Sequence, residues 1–256
     1  MPGARIEIDR LSKSFDGGRT FAVDEASLNV KPGIFLAMVG ASGSGKTTLL
    51  KCINRLIEPD RGEIRIAGEP AGGTDATALR RRVGYVFQEI GLFPHMTVAE
   101  NIGITPQLLG WSRQDIAART AELLDLVELP RNYGPRFPAA LSGGERQRVG
   151  VARAIAAGPQ IVLMDEPFGA IDPITRDALG SAYRVLHRKF ELTTIMVTHD
   201  IQEALLLADE IAVLRHGRVL AHDVPRALLS PAAHPDVRTL MAMPKRQAER
   251  IRAVVG

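Results

Sequence analysis

The amino-acid sequence predicts an α/β fold with a mixed sheet, in which antiparallel strands lead into a parallel core. Short apolar runs alternate with longer segments of helical period, the pattern of strands connected by helices. Three of these runs, at residues 34–39, 161–164 and 194–197, are apolar almost without interruption. Such strands are buried on both faces, so we expect them in the middle of a sheet covered by helices.

The other predicted elements follow from local patterns. A Gly-rich stretch around Gly72 and Gly73 separates two strand candidates. From residue 97 to about residue 129 the period becomes helical, which predicts an inserted helical subdomain. Its buried face is predicted to carry Ile116, Leu123, Leu124 and Val127. In chain order, we further predict strands at 5–11, 21–30, 62–67 and 83–87, helices at 46–55, 144–157 and 173–188, and a hairpin of strands 211–214 and 218–221 joined around His216 and Gly217.

Composition is that of an ordinary globular protein, with 256 residues of which 45% are hydrophobic and 24% charged. No apolar run approaches the ~18 residues of a membrane helix, and the first ten residues lack the apolar centre of a signal peptide. We therefore expect a cytoplasmic location. The net charge of +3 is small and spread along the chain, so the charge itself carries little information about partners, and we expect no nucleic-acid partner. The single cysteine, Cys52, is predicted to be a buried apolar residue on a helix.

Residues 40–48 read Gly-Ala-Ser-Gly-Ser-Gly-Lys-Thr-Thr and fit the pattern G-x-x-x-x-G-K-T between an apolar strand and a helix. Glycines let successive N–H groups point at phosphate oxygens, and the helix start adds its positive dipole. Lys46 supplies a charge for the β- and γ-phosphates, and the Thr47 hydroxyl is suited to Mg²⁺. An accidental Gly-rich turn would not need this spacing and context. We call residues 40–48 the phosphate loop.

Two carboxylates, Asp165 and Glu166, end the apolar run at residues 161–164. The carboxyl ends of parallel strands meet at one edge of a sheet, so this pair is expected beside the phosphate loop. Asp165 is then placed to hold Mg²⁺, and Glu166 to polarise the attacking water as a general base. Without a phosphate loop in the same chain, such a pair would indicate only a solvated turn.

A second helix start, at residues 141–147, has two interpretations. Ser142 and Glu145 fit a capping box. Alternatively, Ser142 and the N–H groups of two glycines form a second phosphate-binding site. On this segment alone the cap is the simpler interpretation, because one γ-phosphate does not need two such sites unless two chains share each nucleotide.

Taken together, these motifs resemble the motif set of the ABC (ATP-binding cassette) ATPases, a class of P-loop NTPases. The set comprises the phosphate loop, Gln88, the signature segment at 141–147, the Asp165-Glu166 strand end, and residues 169–172 and 198–200. The resemblance extends from residue 5 to about residue 243. It implies an ABC ATPase domain at 1–243, with a helical subdomain at about 97–157 inserted in a RecA-like core. A basic tail at 244–256 follows, for which a lipid-contacting helix, a solvated helix and a frayed end stay open.

The resemblance implies ATP and Mg²⁺ as cofactors and a second ATPase subunit, most simply a second copy. Each ATP would lie between one subunit's phosphate loop and the other's signature segment, which accounts for the two anion sites. Catalytic roles fall to Lys46, Glu166 and His199. Mg²⁺ contacts fall to Thr47, Gln88 and Asp165, and nucleotide contacts to Phe15, Gly40, Ala41, Ser42, Gly43, Ser44, Gly45, Lys46, Thr47, Thr48, Gln88, Ser142, Gly143, Gly144, Glu145 and Asp172.

Local alternatives remain for several of these residues. Phe15 is assigned to adenine stacking, but a core aromatic is the alternative. Asp172 is assigned to the dimer interface, and it also suits an N-cap before a helix starting at Pro173. Two residues depart from the common pattern: Glu145 stands where Gln is usual, and Ile171 where Leu is usual. A carboxylate in the first turn of a helix is favourable, so we expect Glu145 to be tolerated.

Segments 51–64, 79–101 and 165–177 are similar to the ATPases of bacterial importers for glycine betaine, choline, carnitine and related osmoprotectants. This resemblance implies transmembrane permease subunits, a periplasmic or lipid-anchored substrate-binding protein, and a peripheral position at the cytoplasmic face of the inner membrane. An importer of another solute and an exporter or lipid-extraction system are the alternatives. Many similar proteins carry paired cystathionine-β-synthase-type domains after the cassette. This sequence stops at Gly256, so we expect control by substrate-loaded binding protein rather than by ionic strength.

Other classes share part of the motif set. ATPases of DNA repair or chromosome structure place a long coiled coil between the phosphate loop and the signature segment, and residues 97–129 are too short for one. A translation factor of this superfamily would need two cassettes. A small-molecule kinase would have no use for Ser142 or His199.

Overall fold

The computed structural model of the chain describes residues 3–73, 75–88, 91–169 and 171–255. Its strands are β1 Ile6–Lys13, β2 Val23–Val30, β3 Phe35–Val39, β4 Arg61–Ile66, β5 Glu69–Pro70, β6 Val83–Val86, β7 Ile161–Asp165, β8 Thr193–Val197, β9 Glu210–Arg215 and β10 Arg218–Asp223. Its helices are α1 Lys46–Ile53, α2 Ala76–Arg82, α3 Val98–Leu108, α4 Arg113–Leu126, α5 Gly143–Ile155, α6 Pro173–Lys189, α7 Ile201–Leu207, α8 Pro225–Leu228, α9 Pro235–Met241 and α10 Met243–Val255.

These strands form two sheets. The first is antiparallel, in the order β2-β1-β4-β5, and the second has six strands in the order β10-β9-β3-β8-β7-β6. Within the second sheet, β3 lies parallel to β8 and β9, and β7 lies parallel to β6 and β8. Only β10 is antiparallel there, in the hairpin with β9. The predicted mixed α/β sheet with antiparallel strands at its start is therefore confirmed.

The central strands of the six-stranded sheet are buried on both faces. Every residue of β3, β7 and β8 is buried. Along β3, Phe35 and Ala37 face a core shared with the helical subdomain and α6, whereas Leu36 and Met38 face a core shared with α1 and the antiparallel sheet. Two covered faces explain why these strands are apolar without alternation. Cys52 is buried on α1, as predicted.

The helical subdomain consists of α3, α4 and α5, which lie between β6 and β7. The stretch predicted from residue 97 onwards is two helices, interrupted near Gly110, whose φ is +80°. Thr97 and Glu100 form a capping box at the start of α3. On α4 the predicted buried face is confirmed for Leu123 and Leu124, and Val127 just after it is buried as well, whereas Ile116 is only half-buried.

Four short helices, α2, α7, α8 and α9, were not predicted from the sequence. Asp75 begins α2 by accepting a hydrogen bond from the N–H of Ala78, but Leu79 is the one buried residue there, so the helical period is weak. α7 has only seven residues after its N-cap Asp200. The tail beyond residue 243 forms helix α10, with Lys245, Arg246, Arg250 and Arg252 exposed. In the described ranges, no helix combines the length and apolarity needed to cross a membrane.

Candidate functional site

The phosphate loop joins the end of β3 to the start of α1. Gly40 and Gly45 have φ angles of +153° and +97°. A Cβ atom on Gly40 would lie 2.2 Å from the Leu214 carbonyl oxygen, and one on Gly45 would lie 2.1 Å from the Ala22 carbonyl oxygen. Gly45 is also the N-cap of α1 and offers no side-chain hydrogen bond to it. The N–H groups of the first turn are therefore left for an anion at the positive end of the helix dipole.

Lys46 is buried in the floor of the phosphate loop. Its ammonium group donates hydrogen bonds to the carbonyl oxygens of Gly40 and Ala41, at 2.8 and 3.0 Å. Burial lowers the pKa of this ammonium group, and the nearby carboxylates of Glu166 and Asp165 act in the opposite direction. The loop thus holds one buried cation close to two acidic groups, ready to exchange backbone carbonyls for phosphate oxygens.

Asp165, the last residue of β7, is 5% exposed and meets the start of α1. The Thr47 hydroxyl donates a hydrogen bond of 2.8 Å to Oδ1 of Asp165. Burial raises the pKa of Asp165, and the hydrogen bond from Thr47 opposes that rise. A hydroxyl and a carboxylate side by side are ligands that Mg²⁺ takes together with phosphates. Among the described residues no three His, Cys, Asp or Glu side chains gather into a metal site.

Glu166 is contacted by two other predicted site residues, Gln88 and His199. Its φ of +45° lies in the left-handed region, a strained conformation that occurs at functional sites. Gln88 donates a hydrogen bond of 3.2 Å from Nε2 to Oε2 of Glu166. Nδ1 of His199 lies 3.3 Å from the same oxygen. Two residues from separate loops therefore orient one carboxylate oxygen.

Phe15 lies in the loop between β1 and β2, and 67% of its surface is exposed. The alternative interpretation, a core aromatic, is therefore wrong. Nζ of Lys13 lies 5.6 Å from the ring centroid and is held by Asp60 at 2.8 Å. The loop closes where the N–H of Ala22 donates to the Lys13 carbonyl at 2.8 Å, and Ala22 packs against Gly45 of the phosphate loop. The exposed ring thus belongs to a loop that abuts the phosphate loop.

The signature segment starts α5 with a complete capping box, as predicted. Oε2 of Glu145 accepts a hydrogen bond of 2.7 Å from the Ser142 N–H, and the Ser142 hydroxyl accepts one of 3.3 Å from the Glu145 N–H. The Tyr133 hydroxyl donates to the other carboxylate oxygen at 3.0 Å. The Ser142 backbone hydrogen bond lowers the pKa of Glu145, helped by Tyr133 and by the charge of Arg136. The unusual carboxylate is therefore held in the ionised form and turned back onto its own helix start.

The two predicted anion sites remain apart within one chain. In the part of the chain that the structure describes, no hydrogen bond or ion pair joins the signature segment to the phosphate loop, Asp165 or Glu166. The signature segment instead borders α6, because a Cβ atom on Gly144 would lie 2.7 Å from Thr175. Asp172 caps α6 by accepting a hydrogen bond of 3.0 Å from the N–H of Thr175, as its local sequence predicts.

Two polar residues near the site were not assigned from sequence. Asp200 caps α7 and is bound by Arg176, which lies one turn into α6. The capping role of Asp200 could have been found, because an Asp precedes the apolar spacing of Ile201 and Ala204. The contact with Arg176 had no sequence signal, since it joins residues 24 positions apart on different helices.

The fold and this site define a nucleotide-binding protein of the P-loop class, with a strand–loop–helix phosphate site, a buried lysine and a Thr–Asp pair. A family model described as ABC transporter matches residues 23–169. The chain belongs to this family, as the motifs predicted, and is one of its ATP-binding cassettes.

Several relatives align with about nine tenths of this chain. The chain is 50% identical over 233 residues to the glycine betaine uptake system ATP-binding protein YehX of Escherichia coli K12, covering 91% of this chain and 75% of that protein. It is 47% identical over 224 residues to the choline transport ATP-binding protein OpuBA of Bacillus subtilis 168, covering 88% of this chain and 58% of that protein. The chain therefore spans three quarters of the first relative and less than two thirds of the second.

Solved structures agree with the fold. The dimeric ATP-binding cassette MJ0796, in a post-hydrolysis state bound to ADP and Pi, superposes with a TM-score of 0.77 at 32% identity. The alignment covers 86% of this chain and 98% of that one. The CbiO1 subunit of the cbiONQ ABC transporter complex of Clostridium perfringens gives a TM-score of 0.81 at 24% identity, which supports the fold.

Proposed function

We propose that this chain hydrolyses ATP to power the import of an osmoprotectant, such as glycine betaine or choline, through a membrane permease. The observation that carries the proposal is the convergence of Gln88 and His199 on one oxygen of Glu166, at 3.2 and 3.3 Å. Glu166 directly follows Asp165, whose carboxylate is hydrogen-bonded to Thr47. Its carboxylate also lies near the Lys46 ammonium. A base, its two orienting groups and the phosphate-binding cation thus occupy one end of the sheet.

In the proposed reaction Glu166 accepts a proton from a water molecule. The water oxygen forms a bond to the γ-phosphorus while the bond to the bridging β–γ oxygen breaks, which leaves ADP and phosphate. Gln88 and His199 hold the carboxylate in place, and Lys46 offsets the charge on the phosphates. Thr47, Asp165 and Gln88 are the residues that would hold Mg²⁺, which neutralises phosphate charge when it is bound.

A second subunit is needed to complete each site in this proposal. Ser142 and the N–H groups of Gly143 and Gly144 form the start of α5, away from the phosphate loop of their own chain. Two copies arranged head to tail bring the signature segment of one over the phosphate loop of the other. The dimeric state of the MJ0796 cassette, a relative by structure, supports this arrangement.

We predict that Phe15→Ala raises the KM for ATP with little change in kcat. Loss of one stacking contact costs on the order of 1 kcal/mol, or about fivefold in KM. Because Phe15 is exposed, its removal leaves no core cavity, and Phe15→Tyr serves as a control that keeps a stacking face. Steady-state kinetics with ATP measure both constants, and an unchanged KM in Phe15→Ala would remove this residue from the nucleotide site.

A cavity of about 500 Å³ beside Gln88 supports contact with the permease. It lies between the end of β6 and α3, and its lining is mostly apolar, with the three arginines Arg80, Arg81 and Arg153 among the lining residues. Asn54 and Tyr85 also line it. Docking of a permease segment there is the proposed route to the Gln88 region, because Phe87, the residue before Gln88, lines the cavity. The remaining apolar lining includes Leu56, Phe87, Phe93, Ile104 and Leu108.

The transported solute is proposed from the relatives. The names of YehX and OpuBA assign glycine betaine and choline to those proteins. Transporters of this kind use a substrate-binding protein outside the membrane and an ATPase at its cytoplasmic face, and we propose both here. The alternative within the family is the import of another solute. The sulfate/thiosulfate import ATP-binding protein CysA of Mesostigma viride is also 45% identical to this chain, over 236 residues.

The test is ATPase activity of the chain reconstituted in liposomes with its permease and binding protein. We expect glycine betaine or choline, presented with the binding protein, to stimulate hydrolysis, and sulfate to have no effect. Stimulation by sulfate alone would overturn the proposed solute. Full activity without any binding protein would favour the exporter alternative instead.

A further inference from the structure

One guanidinium group links two loops of the site. Arg176 lies in the first turns of α6, and its Nη2 donates a hydrogen bond of 3.2 Å to the carbonyl oxygen of Ile171. Its Nη1 donates one of 3.2 Å to Oδ2 of Asp200. Ile171 immediately precedes Asp172, and Asp200 immediately follows His199. The same side chain therefore holds the start of α6 and the loop that carries His199.

Both ends of this link are fixed to the backbone of a helix start. Asp172 caps α6. Oδ1 of Asp200 caps α7 by accepting hydrogen bonds from the N–H groups of Gln202 and Glu203, at 2.9 and 3.2 Å. Since that oxygen is engaged in the cap, Oδ2 is left for Arg176. A displacement of either helix start is thus transmitted to the other through one side chain.

The link continues to the catalytic carboxylate. The N–H of Asp200 donates a hydrogen bond of 3.0 Å to the Thr198 hydroxyl, and this bond closes a turn around His199. Nδ1 of His199 lies 3.3 Å from Oε2 of Glu166. A continuous series of contacts therefore runs from the Ile171 carbonyl through Arg176 and the His199 loop to the proposed base.

We propose that Arg176 is a positioning residue that couples the loop ending at Asp172 to His199 and so to Glu166. The inference rests on the proposed function and on the assignment of Asp172 to the dimer interface that the family resemblance implies. The position of the partner would then set the geometry of the base, and hydrolysis would follow assembly of the dimer. Arg176 touches no reacting atom in this role. It acts by holding the His199 loop in the position at which His199 contacts Glu166.

The local charge supports an arginine at this place. Arg176 and Asp200 are both about one-third exposed, so the pair is partly shielded from solvent. Glu203 lies beside them, and burial raises the pKa of its carboxyl, an effect that Arg176 opposes. A planar group with several donors is needed to reach a carbonyl oxygen and a carboxylate at once, and a lysine does not provide it.

The first test compares Arg176→Gln with Arg184→Gln. Arg184 is on the same helix and binds Asp209 at 2.9 Å, away from the site. Arg184→Gln therefore also removes an Arg–Asp ion pair and controls for that loss. We expect Arg176→Gln to lower kcat about tenfold while the ATP dissociation constant stays within about twofold, because positioning is lost and phosphate contacts are kept. Arg184→Gln should lower the melting temperature and leave kcat unchanged. An equal loss of kcat in both variants, or a wild-type kcat in Arg176→Gln, would overturn the inference.

The second test is a double-variant cycle with Asp200→Ser, since serine also caps helices but is too short to reach Arg176. If the two residues act through one contact, the double variant should lose no more activity than Arg176→Gln alone. Losses that multiply would overturn the coupling. Glu166→Gln separates the two proposals: an inactive Glu166→Gln beside a fully active Arg176→Gln rejects only this inference, whereas a wild-type protein without ATPase activity rejects the proposed function.

Discussion

Glu166→Gln is expected to lower kcat for ATP hydrolysis at least about a hundredfold, because general-base catalysis contributes this much or more. The amide has the shape of the carboxylate, and its oxygen can still accept the hydrogen bond from Gln88. It cannot accept a proton from water. The phosphate loop and Lys46 are untouched, so ATP should bind with unchanged affinity, and the ATP-bound dimer should accumulate.

Hydrolysis is measured by phosphate release, and assembly by gel filtration with and without MgATP. Glu191→Gln is the matched control, since Glu191 is exposed and has a φ of +50°, close to the +45° of Glu166. It makes the same chemical change at a left-handed residue outside the site and should leave both readouts unchanged. A Glu166→Gln protein that stays monomeric with MgATP, or hydrolyses at the wild-type rate, would contradict the assigned role.

The centre of the site could be predicted because the carboxyl ends of parallel strands lie at the same edge of a sheet. A phosphate loop after β3 and an acidic pair at the end of β7 must meet at one edge when both strands are parallel and buried. The 2.8 Å contact between Thr47 and Asp165 confirms that expectation. Gln88 and His199 were assigned to the site only by the family resemblance, since neither has a local pattern of its own. Their contacts with Glu166 were not predicted.

The remaining features depend on contacts that spacing does not encode. An aromatic residue after a strand suits either a core or a surface, so the sequence did not decide the exposure of Phe15. In the structure Asp16 is hydrogen-bonded to Ser14 and Thr20, and the turn that these bonds form leaves Phe15 exposed. Two further features, helix α7 and the contact of Arg176 with Asp200, were also not predicted. The α7 helix is too short for its period to stand out, and the Arg176 contact joins two helices whose approach only the fold reveals.

Lys46→Ala is expected to weaken ATP binding as well as turnover, in contrast to Glu166→Gln. The ammonium group of Lys46 is buried in the phosphate loop, where its hydrogen bonds to Gly40 and Ala41 can be exchanged for bonds to phosphate. A hydrogen bond from a charged donor contributes about 2 kcal/mol, so the dissociation constant for ATP should rise about thirtyfold. The same charge stabilises the transition state, so kcat should fall as well.

Lys31→Ala is the control for net charge, since Lys31 is exposed between β2 and β3 and its loss also removes one positive charge. Lys46→Met keeps most of the apolar stem and separates loss of charge from loss of packing. Equilibrium binding of a fluorescent ATP analogue gives the affinity, and thermal unfolding checks that each variant is folded. Because Lys46 is proposed to contact phosphates both before and during hydrolysis, both Lys46 variants should bind ATP weakly. Wild-type affinity in a folded Lys46→Met protein would contradict its place in the site.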